Sequence, residues 1–327
     1  MANIMQEIIE KAKKRQKHIV LPEGFDERMI VAAEKLAKEG ICRVTLLGNN
    51  DEILSMARDK NISLEGVNII NPLDSEWNTE FAEKLYDLRK HKGMTMEVAE
   101  ETSKKFLFFG NLMVKTGKAD GCVAGAYSTT GDVMRACLQV IGTAPGTKLV
   151  SSTFMMILKT GDVKFFSDCA LVPDPNAEEL ASIAVSTAKT YKNIMGNEPV
   201  VAMLSFSTKG SGGNHPLVNK VVEATKIVRE TAPELKVDGE LQLDAAIVES
   251  IGSKKAPGSD VAGKANVLIF PDLNAGNIGY KLTQRLGDAE AIGPFVQGLA
   301  LPSFDLSRGC SAEDIVNTSA VCSLMAE

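Results

Sequence analysis

The stretch richest in possible chemistry is Ser307-Arg-Gly-Cys-Ser-Ala-Glu-Asp314. It sets an arginine and a glycine just ahead of an apolar-periodic segment, residues 311–325, that reads as a helix. The free N–H groups and dipole of a helix start attract anions, and Arg308 adds a charged fork. The same residues also fit a capping box, Ser311-x-x-Asp314, in which Asp314 closes its own helix. Cys310, beside Arg308 at that start, is expected to have a lowered thiol pKa, which would make a covalent acyl-cysteine possible; packing is the commoner role for a cysteine.

Two further stretches carry candidates. Ser128-Thr-Thr-Gly-Asp132 follows the apolar run 121–124 and leads into a helical segment bearing Arg135. Hydroxyls and amides at such a turn can cradle a phosphate, and an ordinary N-cap cluster uses the same residue types. Phe270-Pro-Asp-Leu-Asn-Ala-Gly-Asn-Ile-Gly-Tyr-Lys281 is dense in Asn and Gly after a strand. That density suggests backbone approaching a ligand closely, with a tight turn as the alternative.

Other chemistries lack their residues. Gly258-Ser-Asp-Val-Ala-Gly-Lys-Ala265 nearly matches a nucleotide-binding loop, but Ala265 has no hydroxyl for Mg²⁺ and no apolar strand precedes it. No Gly-x-Gly-x-x-Gly follows a strand. His18, His91 and His215 are isolated and the six cysteines form no Cys-x-x-Cys, so neither a metal site nor a Ser-His-Asp triad is expected.

Such residues need a scaffold, and the chain alternates short β-branched runs with amphipathic stretches, the α/β pattern. Strands are predicted at 18–21, 43–47, 67–70, 121–124, 148–152, 164–167, 200–206 and 266–270. Helices are predicted at 27–38, 76–91, 132–141, 177–192, 216–230 and 311–325. Gly142-Thr-Ala-Pro-Gly146 interrupts this rhythm, and a second break falls near 294–302. The expected layout is a discontinuous first α/β lobe, 1–143 plus 299–327, and a second, 144–298. Ligands of such folds usually bind between lobes, near the carboxyl ends of strands.

Composition limits the partners. A chain of 327 residues is long for one core. Its net charge of −6 argues against a broad nucleic-acid surface, though not against a local basic pocket. Only nine basic residues are Arg, the type suited to a planar grip on phosphate or carboxylate. The N-terminal 17 residues have no apolar signal-peptide core, and no run approaches 18 apolar residues, so a cytoplasmic protein with reduced, mostly buried cysteines is expected.

Taken together, the chain resembles the phosphate acetyltransferase (phosphotransacetylase) family nearly end to end. The resemblance rests on Leu-Pro-Glu-Gly24 with Asp26-Glu-Arg28, Lys118-Ala-Asp-Gly121, Phe166-Ser-Asp-Cys-Ala170, and Met203-Leu-Ser-Phe-Ser-Thr-Lys-Gly210. It continues in Asp238-Gly-Glu240 and Lys255-Ala-Pro-Gly258. It is most specific in residues 270–285, Gly293-Pro-x-x-Gln-Gly298 and Asp305-Leu-Ser-Arg-Gly-Cys310. The resemblance implies two α/β lobes like those of isocitrate and isopropylmalate dehydrogenases, a cleft between them, and a homodimer acting in acetate metabolism. It implies the reaction acetyl-CoA plus phosphate giving CoA plus acetyl phosphate, by direct attack of the CoA thiolate, with no tightly bound cofactor.

By the same resemblance, Asp314 is the general base for the thiol, Ser307 orients or stabilises the thiolate, and Arg308 steadies phosphate and developing charge. Arg89 and Arg135 match arginines associated with coenzyme A, and Arg285 a further pocket arginine. Ser128, Thr129, Thr130, Asn277, Tyr280 and Lys281 complete the expected substrate contacts. The chain departs from the family pattern at Ser128, Ala136 and Phe304, where the family commonly has His, Pro and Asn. The first and third bear on acyl preference, so a propionyl or butyryl phosphate transferase is the nearest alternative. A non-catalytic acyl-CoA sensor and a dehydrogenase of related fold stand further off.

Overall fold

The computed structural model describes residues 2–326. The chain divides into two units, residues 2–144 with 299–326, and Pro145–Gly298. In the first unit the apolar runs become β1 (His18–Leu21), β2 (Arg43–Leu47), β3 (Val67–Ile70) and β4 (Gly121–Ala124). Around them lie α1 (Ala2–Arg15), α2 (Glu27–Lys38), α3 (Asn50–Asp59), α4 (Asn78–Arg89), α5 (Met96–Ser103), α6 (Phe106–Lys115) and α7 (Thr130–Val140).

Parallel strands covered on both faces need unbroken apolar sequence, and β4 is buried throughout while β1 is buried from Ile19 to Leu21. Helix α2 starts where Asp26 accepts the Arg28 N–H, and buries Met29, Ile30, Ala33 and Leu36 along one face. Each Leu or Ile so enclosed contributes roughly 1.5–3 kcal/mol. Helix α6 adds Phe109, whose ring meets Phe81 of α4 edge-on at 4.8 Å.

The second unit contains β5 (Ser151–Ile157), β6 (Val163–Ser167), α8 (Ala177–Met195), β7 (Val200–Leu204), α9 (Pro216–Thr231), β8 (Lys236–Leu241), α10 (Leu243–Ile247), α11 (Glu249–Lys255), β9 (Val267–Ile269), α12 (Leu273–Arg285) and β10 (Glu290–Gln297). Its sheet runs β10-β5-β6-β9-β7-β8, antiparallel across the first two pairings and parallel across the rest. Two motifs of the resemblance, and the residue that follows a third, meet at its rim. Glu240 accepts from the Ser207 hydroxyl and the Gly210 amide, both at 2.7 Å, and Asp238 accepts from Lys209, Arg229 and Ser259. These residues fasten the loops after β7 and β8.

The chain then returns to the first unit with β11 (Ser303–Asp305) and α13 (Ala312–Met325). The first sheet is therefore β11-β4-β1-β2-β3, parallel at every pairing. Helix α13 is buried without interruption from Ile315 to Leu324 and packs on α1, α2 and β4. Its buried Ser319 and Ser323 donate to carbonyls one turn back, at 2.7 and 3.0 Å, so their hydroxyls are satisfied within the helix.

The α/β expectation holds. The strand predicted at 148–152 lies instead at Ser151–Ile157. Strands β8, β10 and β11 were not foreseen, because Asp238-Gly-Glu240 and Gly293-Pro294 break the usual strand pattern and β11 is only three residues long.

Candidate active site

A cavity of about 1310 Å³ opens in the first unit at the carboxyl ends of its strands. Its wall is formed by residues following β1 (Phe25), β2 (Gly48, Asn49), β3 (Asn71), β4 (Tyr127–Thr129) and β11 (Arg308). That is where parallel α/β sheets usually bind ligands. Lys104, Lys105, Arg135 and Arg308 contribute positive charge. Phe25, Phe106 and Tyr127 form an apolar side, with Phe25 edge-on to each of the other two rings at 5.2 Å.

Of the predicted residues, Ser128, Thr129, Arg135 and Arg308 share this wall. Arg89, at the end of α4, and Thr130, Ser307 and Asp314 belong to the same unit but not to the wall. Asn277, Tyr280, Lys281 and Arg285 belong to the second unit.

The turn before α7 differs from a free phosphate cradle. Glu23, fully buried, takes the amides of Gly125 and Ala126 on Oε2 at 2.9 and 2.8 Å, and that of Ser128 on Oε1 at 2.8 Å. An anion arriving there would meet a carboxylate already holding those donors. Thr129 caps α7 by accepting the Asp132 N–H, and its hydroxyl donates to Asp132 Oδ2 at 2.7 Å. Arg135 pairs with Asp132 Oδ1 at 2.7 Å on an exposed face, a contact that water screens heavily. The N-cap reading thus describes the turn; its cation and hydroxyls still face the cavity.

The Ser307–Asp314 stretch forms its capping box in full. Asp314 Oδ2 accepts the Ser311 N–H and hydroxyl at 2.8 and 2.9 Å, while the Asp314 N–H donates to Ser311 Oγ at 3.1 Å. Ser307, Arg308 and Asp314 are all exposed, open to a ligand from solvent. The expectation of an acidified Cys310 is corrected. Burial pushes its thiol up to about 11, a shift that nearby Arg28 opposes and Asp314, Asp26 and Glu23 reinforce. Such a thiol is almost wholly protonated at neutral pH and a poor nucleophile.

Several residues of the Asn- and Gly-rich stretch after β9 pack against the protein itself. Asp272 caps α12 through the Ala275 N–H, so Asn274 to Gly279 lie within the helix. Gly276 presses on the loop after β6, where a Cβ would come within 2.1 Å of the Asp168 carbonyl oxygen. Asn277 Nδ2 donates to the Cys169 carbonyl at 3.0 Å, and Tyr280 stacks on Phe154 at 4.2 Å. The close backbone approach that the sequence implies is present at Gly276, where the neighbour is the Asp168 carbonyl.

Three residues without a predicted role stand behind the cavity wall. Besides Glu23, Arg28 bonds to Ala126, Arg308 and Cys310, and Asp305 lies buried just ahead of Ser307. Burial raises the Asp305 carboxyl to about 6 against the pull of a Thr130 hydrogen bond, with Glu23 adding to the rise. Gly125, at φ +105°, lets the two strand ends meet, since a Cβ there would strike Asp305 and Leu306. The available signal was charge at strand ends: Glu23 and Arg28 sit in the Leu-Pro-Glu-Gly and Asp-Glu-Arg motifs.

The parallel first sheet, the mixed second sheet and the cavity at the carboxyl ends of the first sheet's strands place the protein among two-unit α/β enzymes. The chain belongs to the family described as "Phosphate acetyl/butaryl transferase", which it matches over residues 3–323. It is 54% identical to a phosphate acetyltransferase of Thermoanaerobacterium thermosaccharolyticum over 330 residues, covering 99% of this chain and 100% of that one. Among solved structures it is similar to the EutD phosphotransacetylase from Staphylococcus aureus, with a TM-score of 0.94, 43% identity, and coverage of 100% and 99%. A phosphotransacetylase from Streptococcus pyogenes gives the same TM-score at 44% identity, with coverage of 99% and 98%.

Proposed function

We propose that this chain is a phosphate acetyltransferase, moving acetyl reversibly between coenzyme A and inorganic phosphate. The observation that carries the reading is a single cavity gathering Ser128, Thr129 and Arg135 from one motif and Arg308 from another, at the edge of a parallel sheet. Coenzyme A is anionic at its phosphates and apolar along part of its length. The cavity offers cations alongside the Phe25–Tyr127 face.

In the proposed mechanism CoA and acetyl phosphate bind together. A thiol with a reference pKa of about 8.5 is mostly protonated at neutral pH and needs a base. Asp314 takes the thiol proton, and Ser307 stabilises the thiolate. The sulfur adds to the acetyl carbonyl carbon, whose oxygen gains charge beside Arg308. The C–O bond to phosphate then breaks, and phosphate leaves with the bonding pair. The cap bonds use Asp314 Oδ2, so the proton is assigned to Oδ1. The high pKa of Cys310 favours this direct route over an acyl-enzyme.

Arg89 and Arg135 are assigned to coenzyme A, with Thr130, Asn277, Tyr280, Lys281 and Arg285 as further substrate contacts, on the resemblance. A cytoplasmic homodimer rests on the same ground; among the described residues no helix is long and apolar enough to cross a membrane. Of the three departures, Phe304 and Ala136 are fully buried and only Ser128 lines the cavity. Ser128 is thus the one departure placed to touch the acyl group. Thioester formation from CoA and acetyl, propionyl or butyryl phosphate is expected to favour acetyl over butyryl by at least about tenfold in kcat/KM. A butyryl preference would replace this assignment.

A further inference from the structure

We propose that Arg28 is a positioning residue that holds the Arg308 loop and the Ala126 loop in register at the cavity. The inference rests on the acetyl-transfer reading for its kinetic consequence, and on geometry for the clasp itself.

A guanidinium has five N–H donors in a fixed plane. In Arg28 all five are committed within the protein. Nε and one Nη2 proton go to Asp26, at 2.9 and 2.6 Å. The other Nη2 proton goes to the Ala126 carbonyl at 2.5 Å. Nη1 spans the carbonyls of Arg308 and Cys310, at 2.7 and 3.0 Å. With no donor left over, Arg28 is not arranged to grip a phosphate. Its charge is spent on three backbone oxygens from two loops far apart in sequence.

Those loops matter because of what they carry. Ala126 precedes Ser128 and Thr129, and Arg308 lies two residues before Cys310; all but Ala126 and Cys310 line the cavity. The anchor is rigid, since Asp26 also caps α2. Glu23 complements it from the same β1–α2 connection by holding amides of the 125–128 turn while Arg28 holds a carbonyl. The connection thus grips one loop by both kinds of backbone group and ties the other to it. Lysine would present its donors from a single nitrogen and could not reproduce the planar fork.

The test uses the full-length chain and the variants Arg28→Lys and Asp26→Asn, the latter keeping a side-chain oxygen for the α2 cap. Arg28→Lys is expected to lower kcat about 10- to 100-fold, as for displaced catalytic groups, with KM for CoA and acetyl phosphate within about threefold. Asp26→Asn shows the same pattern, weaker. Iodoacetamide labelling mapped by peptide mass supplies the second readout. Cys310 is expected to label faster in Arg28→Lys, while the other five thiols, all buried in the native protein, stay protected. Unchanged kcat, a loss confined to KM, or equal labelling of all six thiols would overturn the proposal. If the wild-type chain makes no acetyl-CoA, the functional reading fails instead, and the labelling contrast still tests the clasp.

Discussion

Asp314→Asn is expected to lower kcat by about a hundred- to ten-thousand-fold while leaving the melting temperature near that of the wild type. The two halves of this expectation separate the residue's two roles. In the capping box the Asp314 side chain acts only as an acceptor, from the Ser311 N–H and hydroxyl. Asparagine keeps an acceptor oxygen at that place, so the start of α13 stays closed. It cannot take up a proton, so the CoA thiol loses its base. Asp314→Ala removes both functions and should add a loss of roughly 0.5–2 kcal/mol from the helix start. Rates for Asp314→Asn within a few-fold of wild type, measured by thioester absorbance, would reduce Asp314 to a cap.

Glu23→Ala is expected to have the largest effect on stability. The carboxylate is fully buried and receives three backbone amides. Removing it leaves those donors unpaired in the interior, beside an Arg28 whose charge it partly balances. Unsatisfied buried donors cost about 1–3 kcal/mol each, and some relaxation is available at a turn, so a loss of about 3–5 kcal/mol follows. In a chain of this size that is a fall of roughly 4–7 °C in Tm by calorimetry. Glu23→Gln keeps one acceptor oxygen but turns an NH₂ group toward a donor, and should fall between. A Glu23→Ala protein melting within a degree of wild type would show that the turn is held by other contacts.

The fold was legible wherever one kind of periodicity ran without interruption. Parallel strands such as Ile19–Leu21 and 121–124 are apolar because both faces are covered, and α2 shows its cap at Asp26 and its apolar stripe plainly. The edge strands β8 and β10 gave no such signal: β8 contains Asp238 and Gly239, used at the rim, and β10 shifts register between Ile292 and Phe295, around Gly293-Pro294. Part of the cavity wall was legible in its residue types, but its supports were not. Arg308 and Arg135 stood out as arginines beside helix starts, and both line the cavity, whereas nothing local says that Glu23 will spend its charge on amides more than 100 residues away. The Asn-Gly stretch shows the same limit. Glycine reports close approach, and only the partner at Gly276, the Asp168 carbonyl, reveals that the approach is internal.

The direct route and the acyl-enzyme route differ in one exchange reaction. In direct transfer the acetyl group leaves phosphate only when the CoA thiolate attacks, so acetyl phosphate and labelled inorganic phosphate should not exchange without CoA. An acyl-Cys310 enzyme would release phosphate before CoA arrives and would catalyse that exchange. The measurement is transfer of labelled phosphate into acetyl phosphate by the CoA-free protein, with a CoA-containing sample as the positive control. Exchange is expected only in the control. Exchange at comparable rate without CoA would contradict it and move the chemistry from Asp314 to Cys310.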